Sequence, residues 1–197
     1  MNSPWIEIED IFRSKNCLHA LGLNGGATND EIAALEEHLG LSLPAAFKSF
    51  LAIHNGQGNG QGLFFGVAFL SVDAIQQNWN NWVALEQDGL NEELSDSMSS
   101  RPEGFIKPLY LNRKWIPITH DYGGNHIGFD FDPDVNGTPG QIIAFGRDED
   151  EKKLKANSFG GFIELLVKQL RTIDWQITQD RWQINSKEHD VHYNDWR

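Results

Sequence analysis

The fold of this chain is decided by residues 115–146, which read WIPITHDYGGNHIGFDFDPDVNGTPGQIIAFG. Because successive side chains of a strand point to opposite faces, the segment HIGFDFD predicts a strand with one apolar and one polar face. The two sets are Ile127, Phe129 and Phe131, and His126, Gly128, Asp130 and Asp132. A Gly-Gly turn precedes this strand, and the apolar segment QIIAFG follows it. The block therefore predicts a three-stranded antiparallel meander.

A helical hairpin is predicted on the N-terminal side of the meander. Thr28 stands three residues before Glu31, which is the capping-box pattern of a helix start. Gly40 suits the end of that helix, and Pro44 suits the first turn of the next, where a missing N–H costs nothing. The connection from Gly40 to Pro44 is therefore short. The second helix is predicted to end at Asn55.

A closing helix is predicted after the meander, where Ser158 precedes the periodic segment FGGFIELLVKQLRTI. The predicted fold class is therefore α+β, with a helical hairpin at the N-terminus, a central antiparallel β-meander and a closing C-terminal helix. One domain is expected over residues 1–171. A tryptophan-rich extension is expected over residues 172–197, either packed on the domain or partly mobile.

Three polar segments are interpreted as connections. GQGNGQG, at residues 56–62, lacks the strand-then-helix order of a phosphate-binding loop and is interpreted as a flexible connector. The acidic, serine-rich residues 86–104 predict a long surface loop, and the charged residues 147–156 predict another connector. Trp79 and Trp82 lie at helical spacing and are interpreted as the core of a third helix, with a carbohydrate platform as the alternative.

The segment DPDVNG, which begins at Asp132, resembles the start of an EF-hand calcium loop. Asp132, Asp134 and Asn136 match the first three ligand positions, and Gly137 matches the sharp turn. The twelfth position, which must supply a bidentate Glu, is Ile143, and both flanks predict strands rather than helices. We therefore interpret the segment as a tight turn between two strands, for which Asn-Gly is a strong signal.

A metal site is the alternative chemistry that this region offers. Its candidate ligands are His120, Asp121, His126, Asp130 and Asp132. Their spacing matches no known ligand motif, so solvated strand-face residues are the favoured interpretation. His189 and His192 likewise lack the helical spacing of zinc proteases. No nucleophile motif is found and Cys17 is interpreted as a buried thiol, so we predict no catalytic residue, no metal, no cofactor and no enzyme activity.

The charge balance bears on the partners. With 28 acidic and 16 basic residues the formal net charge is −12, which disfavours direct binding to nucleic acid and favours basic partners, although solubility alone would explain it. A single cysteine fits a reducing compartment. The acidic start lacks the pattern of a secretory signal, and no apolar run approaches the roughly 18 residues of a membrane span. We therefore expect a cytoplasmic protein without membrane binding.

Three stretches together resemble the Smi/Knr domain of the SUKH superfamily. Residues 39–57 resemble its Leu-Pro-x-x-Phe/Tyr-Lys-x-Phe-Leu-x-x-Asn-Gly helix, and residues 108–146 resemble its Trp-x-Pro-Ile … Gly-Gly … Asp-x-Asp-Pro … Gly … Gly-Gln-Val/Ile block. Residues 158–170 resemble its Ser-Phe-x-x-Phe/Leu closing helix. The resemblance implies a single α+β domain without catalytic residues. Many bacterial members are thought to be immunity proteins that neutralise toxins, and fungal members regulate cell-wall assembly through protein contacts.

The resemblance and the charge together favour a non-catalytic protein-binding domain. The main hypothesis is an immunity-type protein that occludes a toxin, with acidic residues that steer a basic toxin domain. The alternatives are a regulatory interaction module of the cell-wall-assembly type and, from another class, a metal-dependent enzyme or binder. The expected partner contacts are exposed acids: Asp88, Glu92, Glu93, Asp96, Asp130, Asp132 and Asp134.

Overall fold

The computed structural model describes residues 3–178 and 181–184. The helices are α1 (Pro4–Ser14), α2 (Asn29–Leu39), α3 (Ala45–Leu51), α4 (Val72–Gln87), α5 (Leu90–Leu94) and α6 (Phe159–Thr172). The strands are β1 (Ala68–Phe69), β2 (Ser99–Arg101), β3 (Trp115–Pro117), β4 (Thr119–His120), β5 (Asn125–Asp130), β6 (Gln141–Gly146), β7 (Glu151–Ala156), β8 (Trp175–Thr178) and β9 (Arg181–Ile184). The predicted α+β class is confirmed. The described residues fall into two compact units, one drawn from residues 1–72 and 163–197 and the other from 73–162.

The predicted helical hairpin forms in the first unit, with the predicted caps. The Thr28 hydroxyl accepts a hydrogen bond from the Glu31 N–H at 3.2 Å, and the Glu31 carboxylate accepts one from the Thr28 N–H at 2.7 Å. This capping box starts α2, and Gly40 ends it in the left-handed conformation. Pro44 is the residue that precedes α3. The boundaries of both helices therefore follow from local sequence.

Aromatic side chains form much of the core of the first unit. Trp5 stacks on Phe50 with ring centroids 4.2 Å apart, and its indole N–H donates to the Phe50 carbonyl at 2.9 Å. Phe12 lies against Trp175 and Trp182, at centroid distances of 5.0 and 5.8 Å. The hairpin of β8 and β9 thus packs on α1 through its tryptophans.

The glycine-rich segment GQGNGQG is a hydrogen-bonded loop rather than a flexible connector. The Gln57 side chain donates to the Leu21 carbonyl at 2.6 Å and accepts from the Leu63 N–H at 2.9 Å. A Cβ atom at Gly60 would lie 2.3 Å from the Leu21 carbonyl oxygen, so only glycine allows this close approach. The glycines serve packing between backbones, and the prediction of a loose connection was wrong.

A five-stranded sheet with the order β2-β7-β6-β5-β3 forms the centre of the second unit. Strands β3, β5 and β6 are antiparallel neighbours and form the predicted meander. Strand β7 extends it on the other side of β6, and β2 pairs with β7 in parallel. These two strands lie in segments predicted to be loops. Their charged and serine-rich sequences carry no apolar strand pattern, because the one buried residue of β7 is Lys152.

Both faces of the sheet are covered, although its sequence alternates. All residues of β5 and β6 are buried. On the polar face the Trp82 ring from α4 lies 5.8 Å from the His126 ring, and Ile106 packs in a cluster with Trp115 and Phe145. The prediction of solvated residues on this face was therefore wrong for His126 and for Asp130.

Candidate protein-binding surface

Four of the seven acids predicted to contact a partner are neighbours around helix α5. They are Asp88, Glu92, Glu93 and Asp96, here named the acidic patch, and all four are exposed. Gly89, at φ +86°, separates α4 from α5, and this left-handed turn needs glycine. Glu92 and Glu93 fall in the first turn of α5, where backbone N–H groups favour negative charge. No member of the patch forms a salt bridge with a described residue.

Helix α5 is fixed by residues 107–113, here named the strap. The Asn91 side chain donates to the Leu111 carbonyl at 2.9 Å and accepts from the Leu111 N–H at 3.0 Å. One turn later, the Ser95 hydroxyl accepts from the Tyr110 N–H at 3.1 Å. The acidic patch is therefore carried by a helix with a defined position relative to the strap.

The other end of the strap is fixed to helix α4. The Arg113 guanidinium binds the Glu86 carboxylate at 2.6 Å. The backbone carbonyl of Arg113 accepts from the Trp79 indole N–H at 2.8 Å. Trp79 thus has a structural hydrogen bond, which accounts for a tryptophan that is not fully buried. The strap links α4, α5 and the loop that follows β5.

That loop carries Asp132 and Asp134 of the segment that resembles a calcium loop, and the carboxylate of Asp132 is engaged by other side chains. The Asp132 carboxylate accepts from the Lys107 ammonium at 2.5 Å and from the Asn112 side chain at 2.9 Å. Burial would raise the pKa of Asp132, but these hydrogen bonds outweigh it and hold the pKa below its ordinary value. The Asp134 carbonyl accepts from the Gly137 N–H at 2.9 Å, which closes a turn inside a connection that spans residues 131–140. The prediction of a tight Asn-Gly turn between the two strands was therefore wrong, since neither Asn136 nor Gly137 takes a positive φ. Both acids are half-buried.

Asp130 must be removed from the predicted contact set, because it is 0% exposed. Its carboxylate accepts from the Asp132 N–H and from the Gln141 side chain, each at 2.9 Å. Burial raises the pKa of Asp130 to about 6. This residue therefore supports the β5–β6 loop from inside and does not reach a partner.

The candidate metal ligands are occupied by hydrogen bonds. His120 Nδ1 accepts from the Tyr122 N–H at 2.6 Å, and the Asp121 carboxylate accepts from the Gly123 N–H at 2.7 Å. His126 is buried with Nδ1 2.7 Å from the Thr119 carbonyl oxygen, and burial lowers its pKa to about 4. Within residues 3–178 and 181–184, no group of three or more His, Cys, Asp or Glu side chains is placed to hold a metal ion. His189 and His192 lie outside the described residues.

The hydrogen bonds of the strap could not be predicted from the sequence. Its contacts join backbone groups and side chains that are far apart in the chain, and no period or motif marks them. The available signal is weak: Asn91 and Asn112 stand beside the acidic segment and the first strand, and asparagine side chains often bond to backbone groups. The surface therefore depends on tertiary contacts, whereas its charges are visible in the sequence.

Comparison with known proteins identifies relatives of this chain. The model of the SMI1 / KNR4 family (SUKH-1) matches residues 26–165. Over 191 residues the chain is 31% identical to the cell wall assembly regulator SMI1 of Saccharomyces cerevisiae, covering 80% of this chain and 38% of that protein. It is 30% identical over 166 residues to the cell wall biosynthesis/cell cycle regulator smi1 of Schizosaccharomyces pombe, covering 79% of this chain and 33% of that protein. A glucan synthesis regulatory protein of Neurospora crassa is 28% identical over 199 residues, covering 84% and 37%.

These relatives favour one of the hypotheses over the others. Their names describe regulators, which supports the regulatory alternative and lends no support to toxin neutralisation. The chain spans about a third of the length of these relatives. In the part of the chain that the structure describes, no helix has the length and apolar character needed to cross a membrane.

Proposed function

The chain belongs to the SMI1/KNR4 family (SUKH-1), and on that premise we propose that it is a regulatory protein-binding module of the cell-wall-assembly kind. The observation that carries the proposal is that its relatives are named as regulators of cell-wall or glucan synthesis. The module works by contact, and its partner is a signalling or wall-synthesis protein. We further propose that it acts in the cytoplasm without direct binding to nucleic acid, which fits its net charge of −12.

The acidic patch supports this function as the place where a partner binds. Its four acids are exposed, and the helix that carries them is held by the Asn91 and Ser95 hydrogen bonds to the strap. A surface that is already ordered loses little conformational entropy on binding. Its charge attracts a basic partner and raises the rate of association, more strongly at low salt than at high salt. Asp132 and Asp134 extend the proposal to the neighbouring loop as weaker candidates, because each already serves the fold.

The first test is partner capture with a matched pair of charge variants. The patch variant replaces the four acids of the acidic patch with their amides. The control variant makes the same number of Asp→Asn and Glu→Gln changes at exposed acids elsewhere: Asp30, Asp73, Glu103 and Glu164. Purified chain is used to capture proteins from the organism that encodes it, and each candidate is then purified and titrated at low and high salt.

We expect a signalling or wall-synthesis protein that binds the control variant as it binds the unchanged chain. Its affinity for the patch variant should fall by roughly tenfold or more, and its association rate should fall with salt. A toxin domain as the sole stable partner would restore the immunity hypothesis. Equal binding to both variants would show that the patch is the wrong surface, even if the partner is a regulator.

A further inference from the structure

Tyr122 combines two features that a purely structural residue rarely has. Its side chain is 76% exposed, and its backbone lies in the left-handed region at φ +63°. Aromatic residues seldom adopt this conformation, because the Cβ atom crowds the backbone. Burial of the ring does not offset the strain, since the ring is mostly in solvent. Backbone strain of this kind persists only where the surroundings enforce it, and it concentrates at functional positions.

Hydrogen bonds among the residues next to Tyr122 hold its backbone in the left-handed conformation. The Tyr122 N–H donates to His120 Nδ1 at 2.6 Å, and the Asp121 carboxylate accepts from the N–H groups of Gly123 and Asn125 at 2.7 and 2.9 Å. The Asn125 side chain also donates to Asp121, at 2.8 Å. These residues, 120–125, are here named the tyrosine loop. The loop is therefore ordered before any partner arrives.

A second turn is locked to the tyrosine loop. The Asn125 side chain donates to the Asp148 carboxylate at 3.1 Å and accepts from the Asp148 N–H at 2.8 Å. The Arg147 N–H donates to the Gly124 carbonyl at 3.0 Å. Arg147, Asp148 and Asp150 are all exposed in this turn. The exposed ring thus lies on a rigid surface formed by two adjacent turns.

We propose that the tyrosine loop is a docking surface on which Tyr122 stacks against an arginine of a protein partner. The ring contacts His120 at a centroid distance of 5.3 Å, and its hydroxyl makes no hydrogen bond with any residue that the structure describes. Because Tyr122 is 76% exposed, most of its ring surface is open to a partner. A preordered, exposed aromatic residue is the kind of anchor that dominates protein interfaces.

The acidic residues of the two turns indicate that the partner's side chain is an arginine. The two turns carry Asp121, Asp148 and Asp150 against the single base Arg147, so the surface that presents the ring has a net negative charge. A planar guanidinium can stack on a tyrosine ring and bind carboxylates at the same time, whereas the lysine ammonium acts as a compact point charge. This surface is distinct from the acidic patch, and the inference rests on the proposed function only in requiring a protein partner.

The test is a titration of the isotope-labelled full chain with a short glycine-serine peptide that carries two arginines. We expect saturable changes in the amide signals of the tyrosine loop and of residues 147–150. The same peptide with citrulline, which keeps the shape and loses the charge, should cause none. Tyr122→Ala should weaken binding by roughly tenfold, and Tyr122→Trp should retain it. Val135→Ala shortens an exposed side chain in the loop between β5 and β6, away from both turns. It serves as the control and should bind the peptide normally.

A second variant separates binding from folding. Asparagine tolerates the left-handed conformation, so Tyr122→Asn should raise the midpoint of thermal unfolding while it removes peptide binding. A lower midpoint would show that the ring is structural and would overturn the proposal. Equal binding of the citrulline peptide, or unchanged binding by Tyr122→Ala, would also overturn it. If a β-glucan oligosaccharide instead shifts the same signals, the loop is a carbohydrate site and the arginine proposal is wrong.

Partner capture distinguishes this inference from the proposed function. If a captured regulator binds Tyr122→Ala as it binds the unchanged chain, the tyrosine loop fails and the regulatory module stands. If the arginine peptide binds but no regulator is captured, the tyrosine loop stands and the regulatory function fails.

Discussion

The central sheet has two faces of opposite chemistry, and the residues of β5 and β6 are buried on both. The apolar face is formed by Ile116, Ile127, Phe129, Ile142 and Ala144. The other face, here named the polar face, mixes polar with apolar side chains and is formed by Trp115, His126, Asp130, Gln141, Ile143, Phe145 and Lys152. On the first face the hydrophobic effect suffices, because it has no directional requirement. On the second, each buried polar group needs a partner, so the covering segments must be placed accurately.

The polar face meets this requirement almost completely. Lys152 donates to the Glu149 carbonyl and lies 6.0 Å from the centre of the Trp115 ring, and burial lowers its pKa to about 8. The exception is the Trp115 indole N–H. It has no hydrogen-bond partner among the described residues, although it lies near enough to Asp130 to lower the pKa of that carboxyl. Such a face fixes one arrangement of the segments above it at some cost in stability.

The largest expected effect is the loss of folding stability when a buried phenylalanine is replaced by alanine, and we expect this loss to differ between the two faces. Phe129 and Phe145 are both buried, one on each face. Phe129→Ala should lower the free energy of unfolding by about 3–5 kcal/mol, because it opens an apolar cavity that stays dry. Phe145→Ala should cost about 1 kcal/mol less, because its cavity borders the His126 and Trp115 rings, whose ring nitrogens can hydrogen-bond to an entering water, as well as the apolar Ile106 and Ile143. Urea denaturation of both variants measures the difference.

An equal or larger cost for Phe145→Ala would break the comparison, since it would mean that the polar face excludes water as strictly as the apolar one. Xenon binding, followed by the chemical shift of the gas, provides an independent readout. We expect the Phe129→Ala cavity to take up xenon and the Phe145→Ala cavity to take up little.

The next effect is a pair of opposed pH dependences on the polar face. Asp130 holds its proton in the folded state up to about pH 6, whereas its ordinary pKa is 3.8, so its contribution to stability falls as the pH rises through this window. His126 has a pKa of about 4 when folded and 6.5 ordinarily, so its contribution rises over a similar window. Each contribution is about 3 kcal/mol, and the two nearly cancel in the unchanged chain.

Single variants that replace each titrating group with a neutral amide should expose each contribution. Relative to the unchanged chain, the stability of Asp130→Asn should increase as the pH rises from 4 to 6, and that of His126→Gln should decrease from 4 to 6.5. Differences between chains remove the background from other carboxylates. Flat curves for both variants would show that water reaches these groups, and a slope of the same sign in both would contradict the assignment.

The sequence predicts the apolar face better than the polar one, for a physical reason. The helix caps at Thr28 and Gly40 and the three strands of the meander depend on neighbours in the chain, so local patterns reveal them. The burial of His126 and Asp130 depends on Trp82 and Ile106, which reach the sheet from distant segments. Alternation shows that a strand has two kinds of face, but it does not show whether the polar one is covered.

The two proposed binding surfaces divide in the same way. The acids of the acidic patch are visible in the sequence, and their exposure follows from their charge. The tyrosine loop is different, because nothing in the segment DYGGNH indicates that Tyr122 takes the left-handed conformation and Gly123 does not. That choice is made by the Asp121 hydrogen bonds within the loop and by the Asn125 side chain, which joins the loop to a turn 23 residues later.

The smallest effect lies where the polar face ends. Asp132 is two residues from Asp130 on the same side of the chain, but its side chain is 40% exposed and paired with Lys107. Its pKa is lowered, so the pair stabilises the fold above the ordinary pKa of Asp132 and loses this effect as the pH falls through the folded value. Asp132→Asn should cost less than about 1 kcal/mol at neutral pH, and salt should reduce the loss. Lys107→Met should cost a similar amount, and the double variant should cost less than the two single costs combined, as measured by urea denaturation in low and high salt. A large loss that salt does not reduce would show that Asp132 is part of the buried network, and the polar face would then extend one residue pair further than its burial indicates.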